Sequence, residues 1–193
     1  MRTRLALATL MLCATLCAVS AHAQFAVYGM GNAGRLSGFN SIYATNGSST
    51  TLNTAGNFWA YGGTLGAYDN FLSLGPVKLG GDLRGFIQSS SSTHNTYGNQ
   101  LRGALIGPRL ALSLPLIPFK PYVQADFGAV STNYGQNSSR TGNFAYQVQL
   151  GADFTIFPHL DLRAEYGFGQ TLSALGSTHI PLQQLGAGAV VRF

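Results

Sequence analysis

Three histidines lie beyond the first 23 residues, and catalysis would most readily involve them: His94, His159 and His179. A serine acts as a nucleophile only with a base beside it and an acid that orients the base. Ser177 and His179 come nearest to such a pair, and no acidic residue lies near them in the sequence. We therefore predict no catalytic residues and a protein that is not an enzyme.

The sequence also lacks the patterns of metal, cofactor and nucleic-acid sites. No group of His, Cys and carboxylate residues has the spacing of metal ligands. The glycine pairs Gly62-Gly63 and Gly80-Gly81 precede no helix, so they are not phosphate-binding loops. The net charge of +5 includes no basic run, which argues against a nucleic-acid partner. We predict no metal and no cofactor.

The remaining candidates are charged side chains of both signs at alternate positions, such as Asp82 with Arg84, and Asp161, Arg163 and Glu165 in series. Only 9% of the residues are charged, against about 25% in an average soluble domain. Mixed charges on one face of a strand are expected to pair inside a narrow enclosed space. The predicted network consists of Asp82, Arg84, Arg109, Asp126, Asp153, Asp161, Arg163 and Glu165.

The N-terminal segment has the organisation of a secretory signal peptide. Arg2 and Arg4 precede an apolar run from Leu5 to Val19, and Ala21 and Ala23 form a small-x-small cleavage site. The alternative, a membrane anchor, is disfavoured because the apolar run is short and ends in this site. We predict a signal peptide over residues 1–23 and one mature domain over residues 24–193. Cleavage would remove both cysteines and leave a net charge of 9 − 6 = +3.

The elements that position the charges are β-strands. The apolar stretch from Ala104 to Phe119 contains Pro108, Pro115 and Pro118, which would break a membrane helix. Alternation with a period of two is typical of strands with two different faces. It is clearest in Phe144–Phe157 and continues after Pro158-His159, so these residues are predicted to form a tight turn. It recurs in Val77–Gln88, Pro121–Val130 and the C-terminal segment. The strands Phe25–Leu36, Phe58–Leu72 and Gln100–Leu114 are predicted without a choice of face.

The connections alternate between two kinds. Short proline-containing links lie at Ser73–Pro76, Pro115–Lys120 and Phe157–His159. Longer polar links lie at Ser37–Asn57, Ser89–Asn99, Ser131–Asn143 and Gln170–Pro181. Eight strands joined in this way are typical of an outer-membrane barrel with short periplasmic turns and longer external loops.

The alternative fold is a soluble β-barrel, whose polar face would meet water. The polar rows of this chain are rich in Gln, Gly and Thr and poor in Lys and Glu, which favours an enclosed face. The predicted fold class is therefore all-β, an eight-stranded antiparallel transmembrane β-barrel with apolar rows facing lipid. Aromatic residues near strand ends are predicted to form interfacial girdles: Tyr28, Trp59, Tyr61, Phe71, Phe119, Tyr122, Phe144, Phe157 and Phe193.

The C-terminal strand places Leu185, Ala187, Ala189, Val191 and Phe193 on one face. This row resembles the signal by which the barrel assembly machinery recognises outer-membrane proteins. The chain from Gln24 to Phe193 resembles the small eight-stranded family of the outer-membrane protein A transmembrane domain and the opacity-type surface proteins. The segments that carry the resemblance are Gly62–Tyr68, Leu79–Gly85 and Leu162–Gly167. It implies a fold and an outer-membrane location, and it implies function only loosely.

Three functions follow as hypotheses. The first is a structural or surface-interaction role with a lumen plugged by the charge network. The second is a narrow porin-like channel for small solutes, and the third is a lipid A-modifying enzyme. The expected partners are outer-membrane lipid and lipopolysaccharide, the assembly machinery during biogenesis and an external ligand held by the loops. We expect a monomer.

Overall fold

The computed structural model describes residues 24–36, 41–45, 48–52, 58–90, 99–114, 117–134, 141–174 and 178–193. The predicted signal peptide, His94 and Ser177 lie outside these ranges. The described strands are β1 (Gln24–Leu36), β2 (Ser41–Thr45), β3 (Ser48–Leu52), β4 (Phe58–Leu74), β5 (Val77–Ser90), β6 (Asn99–Leu112), β7 (Phe119–Tyr134), β8 (Thr141–Phe157), β9 (Leu160–Ala174) and β10 (Thr178–Arg192). Among the described residues, no helix has the length and apolar character needed to cross a membrane.

Eight of these strands form a closed antiparallel barrel in the order β1-β10-β9-β8-β7-β6-β5-β4. Closure joins the first strand to the last, with Gly29 opposite Ala189, and the other edge of β1 pairs with β4, with Gly29 opposite Leu65. Backbone groups of every barrel strand therefore have partners on both sides, as a sheet surrounded by lipid requires. The prediction of an eight-stranded antiparallel barrel is confirmed.

The remaining strands, β2 and β3, pair with each other inside the link Ser37–Asn57, which the sequence had predicted as a loop. The prediction for Gln170–Pro181 is also wrong, because β9 continues to Ala174 and β10 begins at Thr178. His179 therefore lies in a strand and not in a loop. Polar Ser and Thr residues suit a strand in water as well as a loop, and Thr favours strands; composition alone could not separate the two.

One end of the barrel carries tight turns, and we call it the turn end. The chain reverses between β4 and β5 at Gly75-Pro76, where Gly75 has a φ of 63°, a left-handed conformation that favours glycine. Pro158 and His159 form the predicted turn between β8 and β9. Both ends of the described chain lie here, since the Phe193 amide donates to the Phe25 carbonyl at 2.9 Å. We call the opposite end the loop end.

The outer and inner faces follow the alternation of the sequence. Leu150 and Leu162 are about half exposed on the outer wall, whereas Gln149 and Asp161 are 0% exposed inside. The structure also assigns the three strands whose faces the sequence left open. Their inward residues include Tyr28 and Asn32 in β1, Thr64 and Tyr68 in β4, and Leu105 and Arg109 in β6.

Two of the nine predicted girdle residues do not lie on the outer wall. Tyr28 and Tyr122 are 2% and 5% exposed, and both point into the lumen. The residues two positions away along each strand are buried on the same face. In the lumen, the hydroxyl group of each tyrosine donates a hydrogen bond to a carboxylate. The other seven aromatic side chains are exposed.

Candidate functional site: the charged lumen

The lumen contains two regions of different character. Toward the loop end, apolar side chains pack together in what we call the apolar layer: Ala60, Phe86, Leu101, Leu105, Val130, Ala145 and Leu182. The sequence analysis did not identify this layer. The alternation of strand positions would have identified part of this layer, because Leu101 and Leu105 lie on the same face of β6 as Arg109. Toward the turn end, the lumen is filled by charged side chains and tyrosines.

Arg84 occupies the centre of the first charged cluster. Its Nη1 and Nη2 atoms donate to the two carboxylate oxygens of Glu165 at 2.6 and 3.0 Å. Its Nε lies 3.1 Å from Asp82 Oδ1 and 3.1 Å from Asp126 Oδ2. The Arg84 side chain is 0% exposed. Bidentate pairing suits the planar guanidinium and fixes its orientation, so one arginine joins β5, β7 and β9.

Asp153 occupies the centre of the second cluster. Arg163 pairs with it through Nε at 2.7 Å and Nη2 at 2.9 Å, and Arg109 Nη2 contacts the same carboxylate at 2.9 Å. Two guanidinium groups thus share one aspartate, and all three side chains are almost completely buried. This cluster joins β6, β8 and β9.

Tyr28 and Tyr122 connect the two clusters, and Tyr68 packs against the arginines of the second one. The hydroxyl groups of Tyr28 and Tyr122 donate to Asp82 at 2.8 Å and to Glu165 at 2.7 Å. The Arg109 guanidinium carbon lies 3.6 Å from the ring centroid of Tyr122 and 4.1 Å from that of Tyr68. Close cation–π contacts stabilise a guanidinium in a desolvated site. The tyrosines therefore supply both hydrogen bonds and ring faces.

The eighth predicted charge, Asp161, lies apart from these clusters. It pairs with Arg192 at 2.9 Å and with Lys120 at 3.4 Å near the turn end. The sequence analysis did not include either cation in the network. The alternation of strand positions would have placed both cations in the lumen. Lys120 lies two residues before the inward-facing Tyr122, and Arg192 lies two residues after the inward-facing Val190.

The structure thus brings seven of the eight predicted residues into two connected clusters and places Asp161 with a separate pair of cations. The ion-paired lumen residues comprise five cations and five carboxylates, so their formal charges cancel. Buried charges require such pairing. Chemically, this arrangement can hold opposite walls of the barrel together and obstruct its interior.

The other predicted residues have simpler surroundings. Leu185, Ala187, Ala189, Val191 and Phe193 all face outward, with Phe193 73% exposed. The Phe193 ring lies 6.0 Å from that of Phe25. His159 is exposed, and its Nδ1 lies 3.1 Å from the Arg192 carbonyl oxygen. Within the described ranges, no three His, Cys, Asp or Glu side chains are grouped so that they could hold a metal ion.

Comparisons with known proteins agree with this geometry. Neisserial surface protein A has a similar crystal structure, with a TM-score of 0.60 at 15% sequence identity, covering 88% of this chain and 97% of that one. The outer membrane protein OprG from Pseudomonas aeruginosa gives a TM-score of 0.52 at 10% identity, covering 88% of this chain and 95% of that one. These likenesses show the fold alone. No curated protein matches the chain. The family model described as "Outer membrane protein beta-barrel domain" matches residues 6–193, and the chain therefore belongs to this family of outer-membrane barrels.

Proposed function

We propose that this outer-membrane barrel has a structural and surface-interaction role, and that its own side chains close its lumen. The contact between Arg84 and Glu165 carries the proposal. β5 and β9 are four strands apart in either direction around the eight-stranded barrel, so this ion pair spans its full width. An eight-stranded barrel is only just wide enough for its own side chains. A pair across the middle leaves no continuous path for solutes.

The orientation follows from the two kinds of connection. Short turns and both chain ends belong on the periplasmic side in this class of barrel, and longer connections belong outside. The turn end is therefore periplasmic and the loop end external.

Export would begin with removal of residues 1–23, so the intact mass of protein purified from outer membranes should correspond to a chain that begins at Gln24. A mass that includes residues 1–23 would contradict the signal-peptide proposal.

The surface role is assigned to the external end. The β2–β3 hairpin belongs to the β1–β4 connection, and its sequence from Ser41 to Leu52 is rich in Ser and Thr. A two-stranded sheet leaves backbone groups unpaired along its edges, which suits pairing with an external partner. The protein acts as a monomer, and the barrel assembly machinery inserts it by way of its C-terminal strand.

Planar-bilayer recording of the purified protein tests the closed lumen. We expect small and infrequent conductance events from the natural protein and larger, longer openings from the double variant Arg84→Ala, Glu165→Ala. Arg35→Ala is the matched control, because Arg35 faces outward. Large stable channels from the natural protein would favour the porin-like alternative.

Lipid A from cells with natural protein and with His179→Ala should have the same mass spectrum; a difference would favour the enzymatic alternative.

A further inference from the structure

The charges of the lumen are not evenly distributed. The two connected clusters consist of three cations and four carboxylates: Arg84, Arg109, Arg163, Asp82, Asp126, Asp153 and Glu165. Their formal charge is therefore 3 − 4 = −1. The fifth carboxylate of the lumen lies apart, with two cations near the turn end. The connected network thus lacks one positive charge in the interior of the barrel.

Two of the three carboxylates around Arg84 are well supplied with hydrogen-bond donors. Glu165 accepts from two Arg84 nitrogen atoms and from the Tyr122 hydroxyl group. Asp82 accepts from Arg84 Nε at 3.1 Å and from the Tyr28 hydroxyl group at 2.8 Å. Each of the three Arg84 nitrogen atoms thus has an acceptor in Glu165 or Asp82.

Asp126 is the carboxylate with the weakest support. It accepts a hydrogen bond from the neutral amide of Gln124 at 2.8 Å. Arg84 Nε lies 3.1 Å from its Oδ2 atom but donates to Asp82. The Oδ1 atom of Asp126 has no donor in the part of the chain that the structure describes, and the residue is 1% exposed. The missing positive charge of the network is therefore located at Asp126.

Asp82 and Asp126 lie close together, since Arg84 Nε is 3.1 Å from an oxygen atom of each. No side chain of β6 separates them. Gly107 pairs with Asp82 in the register, and a Cβ atom at Gly107 would lie 2.8 Å from Asp126 Cα. The Oδ2 atom of Asp82 also has no described donor. Two neighbouring carboxylates thus each have a buried oxygen atom without a donor.

The strand on the other side of Asp126, β8, supplies neutral amides. Gln147 is opposite Asp126 in the register, and Gln149 donates to Gln147 at 3.0 Å. The Oε1 atom of Gln149 is buried and has no donor among the described residues. On β6, Arg109 Nη1 lies 3.4 Å from Gln124 Oε1. The side chain of Gln124 thus separates this second cation from Asp126.

An ionised Asp126 would be costly in these surroundings. Among the charges that act most strongly on it, Arg84 is positive, whereas Asp82 and Glu165 are negative. A buried carboxylate without full compensation takes up a proton, and two carboxylates that share a site favour one protonated group. The unpaired oxygen atoms of Asp82, Asp126 and Gln149 are all acceptors, so a proton would add the donor that they lack.

We propose that the lumen contains a proton-binding site and that Asp126 holds the proton. Its carboxylic acid is neutral in the folded barrel, and the added hydrogen is donated to one of the unpaired acceptors beside it. One proton makes the connected network of three cations and four carboxylates neutral. This inference goes beyond the closed lumen and does not depend on the surface role.

Infrared spectroscopy of the natural protein, refolded in lipid vesicles at neutral pH, tests the proposal. A protonated carboxylic acid has a C=O stretching band that is separate from the bands of a carboxylate. We expect this band in the natural protein, its loss in Asp126→Asn and its retention in Asp161→Asn. Asp161→Asn is the matched control, because it replaces a buried lumen aspartate that has two cations. Absence of the band from the natural protein, or a band that Asp126→Asn retains, would overturn the proposal.

The dependence of stability on pH is a second test. An aspartate in the unfolded chain is ionised above about pH 5, so folding takes up a proton if Asp126 is neutral in the barrel. Stability then falls as the pH rises, and this proton increases the unfolding equilibrium constant by up to about tenfold per pH unit. Asp126→Asn binds no such proton, so its urea midpoint should fall less with rising pH. Parallel pH profiles of the two proteins would contradict the proposal. Neither measurement requires conductance or an external partner, so the proposed function is checked separately.

Discussion

The Tyr28 ring occupies the space that a side chain at Gly66 would take. A Cβ atom at Gly66 would collide with the outer part of the Tyr28 ring and with its hydroxyl oxygen. Gly151 and Tyr122 have the same relationship. The barrel therefore contains two matched glycine–tyrosine pairs on neighbouring strands, β1 with β4 and β7 with β8. In each pair the glycine lets a large ring lie flat against the wall and reach a carboxylate in the lumen.

Gly66→Ala should destabilise the barrel, because the ring must move away from its hydrogen bond with Asp82. Overpacking of this kind costs about 1–3 kcal/mol, which urea unfolding in lipid vesicles would measure. Gly31→Ala is the matched control, since its Cβ atom meets open space. Equal stability of the two variants would show that the Tyr28 ring is not fixed in this position.

Arg84→Met should lower the free energy of unfolding by about 3–5 kcal/mol, because it leaves Asp82, Asp126 and Glu165 buried without their common cation. The measurement is the urea midpoint, followed by the fluorescence of Trp59, the single tryptophan. Arg35→Met removes an outward arginine and should cause a much smaller change. If Arg84→Met unfolded at the urea concentration of the natural protein, the Arg84 cluster would have no stabilising role.

Phe193→Ser should reduce assembly in cells while leaving refolding of the purified chain into detergent nearly unchanged. The terminal ring is 73% exposed and stacks loosely on Phe25, so its removal costs little packing. Heat-modifiable migration on gels would measure the folded fraction in both settings. Phe157→Ser is the control, because Phe157 is also exposed near the turn end. Equal loss of assembly in both variants would mean that the terminal position has no special role.

Replacement of residues 41–52 by a short Gly-Ser link should leave the barrel intact, because the β2–β3 hairpin pairs only with itself in the described sheets. The folded fraction and the urea midpoint should match those of the natural protein, while binding of an external partner through this hairpin would be lost. A large drop in the urea midpoint would instead assign the hairpin a structural role.

Much of the fold could be predicted from the sequence, because a period of two is a local property of the chain. In β8 and β9, apolar residues at alternate positions determined which side chains face outward. The same parity places Asp153, Arg163 and Glu165 together inside. In β1, β4 and β6, glycine and alanine occupy both rows, so alternation could not choose a face there. The alternation of strand positions placed Tyr122 on the inner face, whereas its aromatic side chain suggested a place in an interfacial girdle. The structure shows that Tyr122 faces the lumen, where its hydroxyl group donates to Glu165.

The sequence by itself determined the two-faced strands, their number in the barrel and the kinds of charge that line the lumen. The tertiary structure alone decided which charges meet. Arg84 and Glu165 are 81 positions apart, and their contact depends on closure of the sheet and on the register of all the pairs between them.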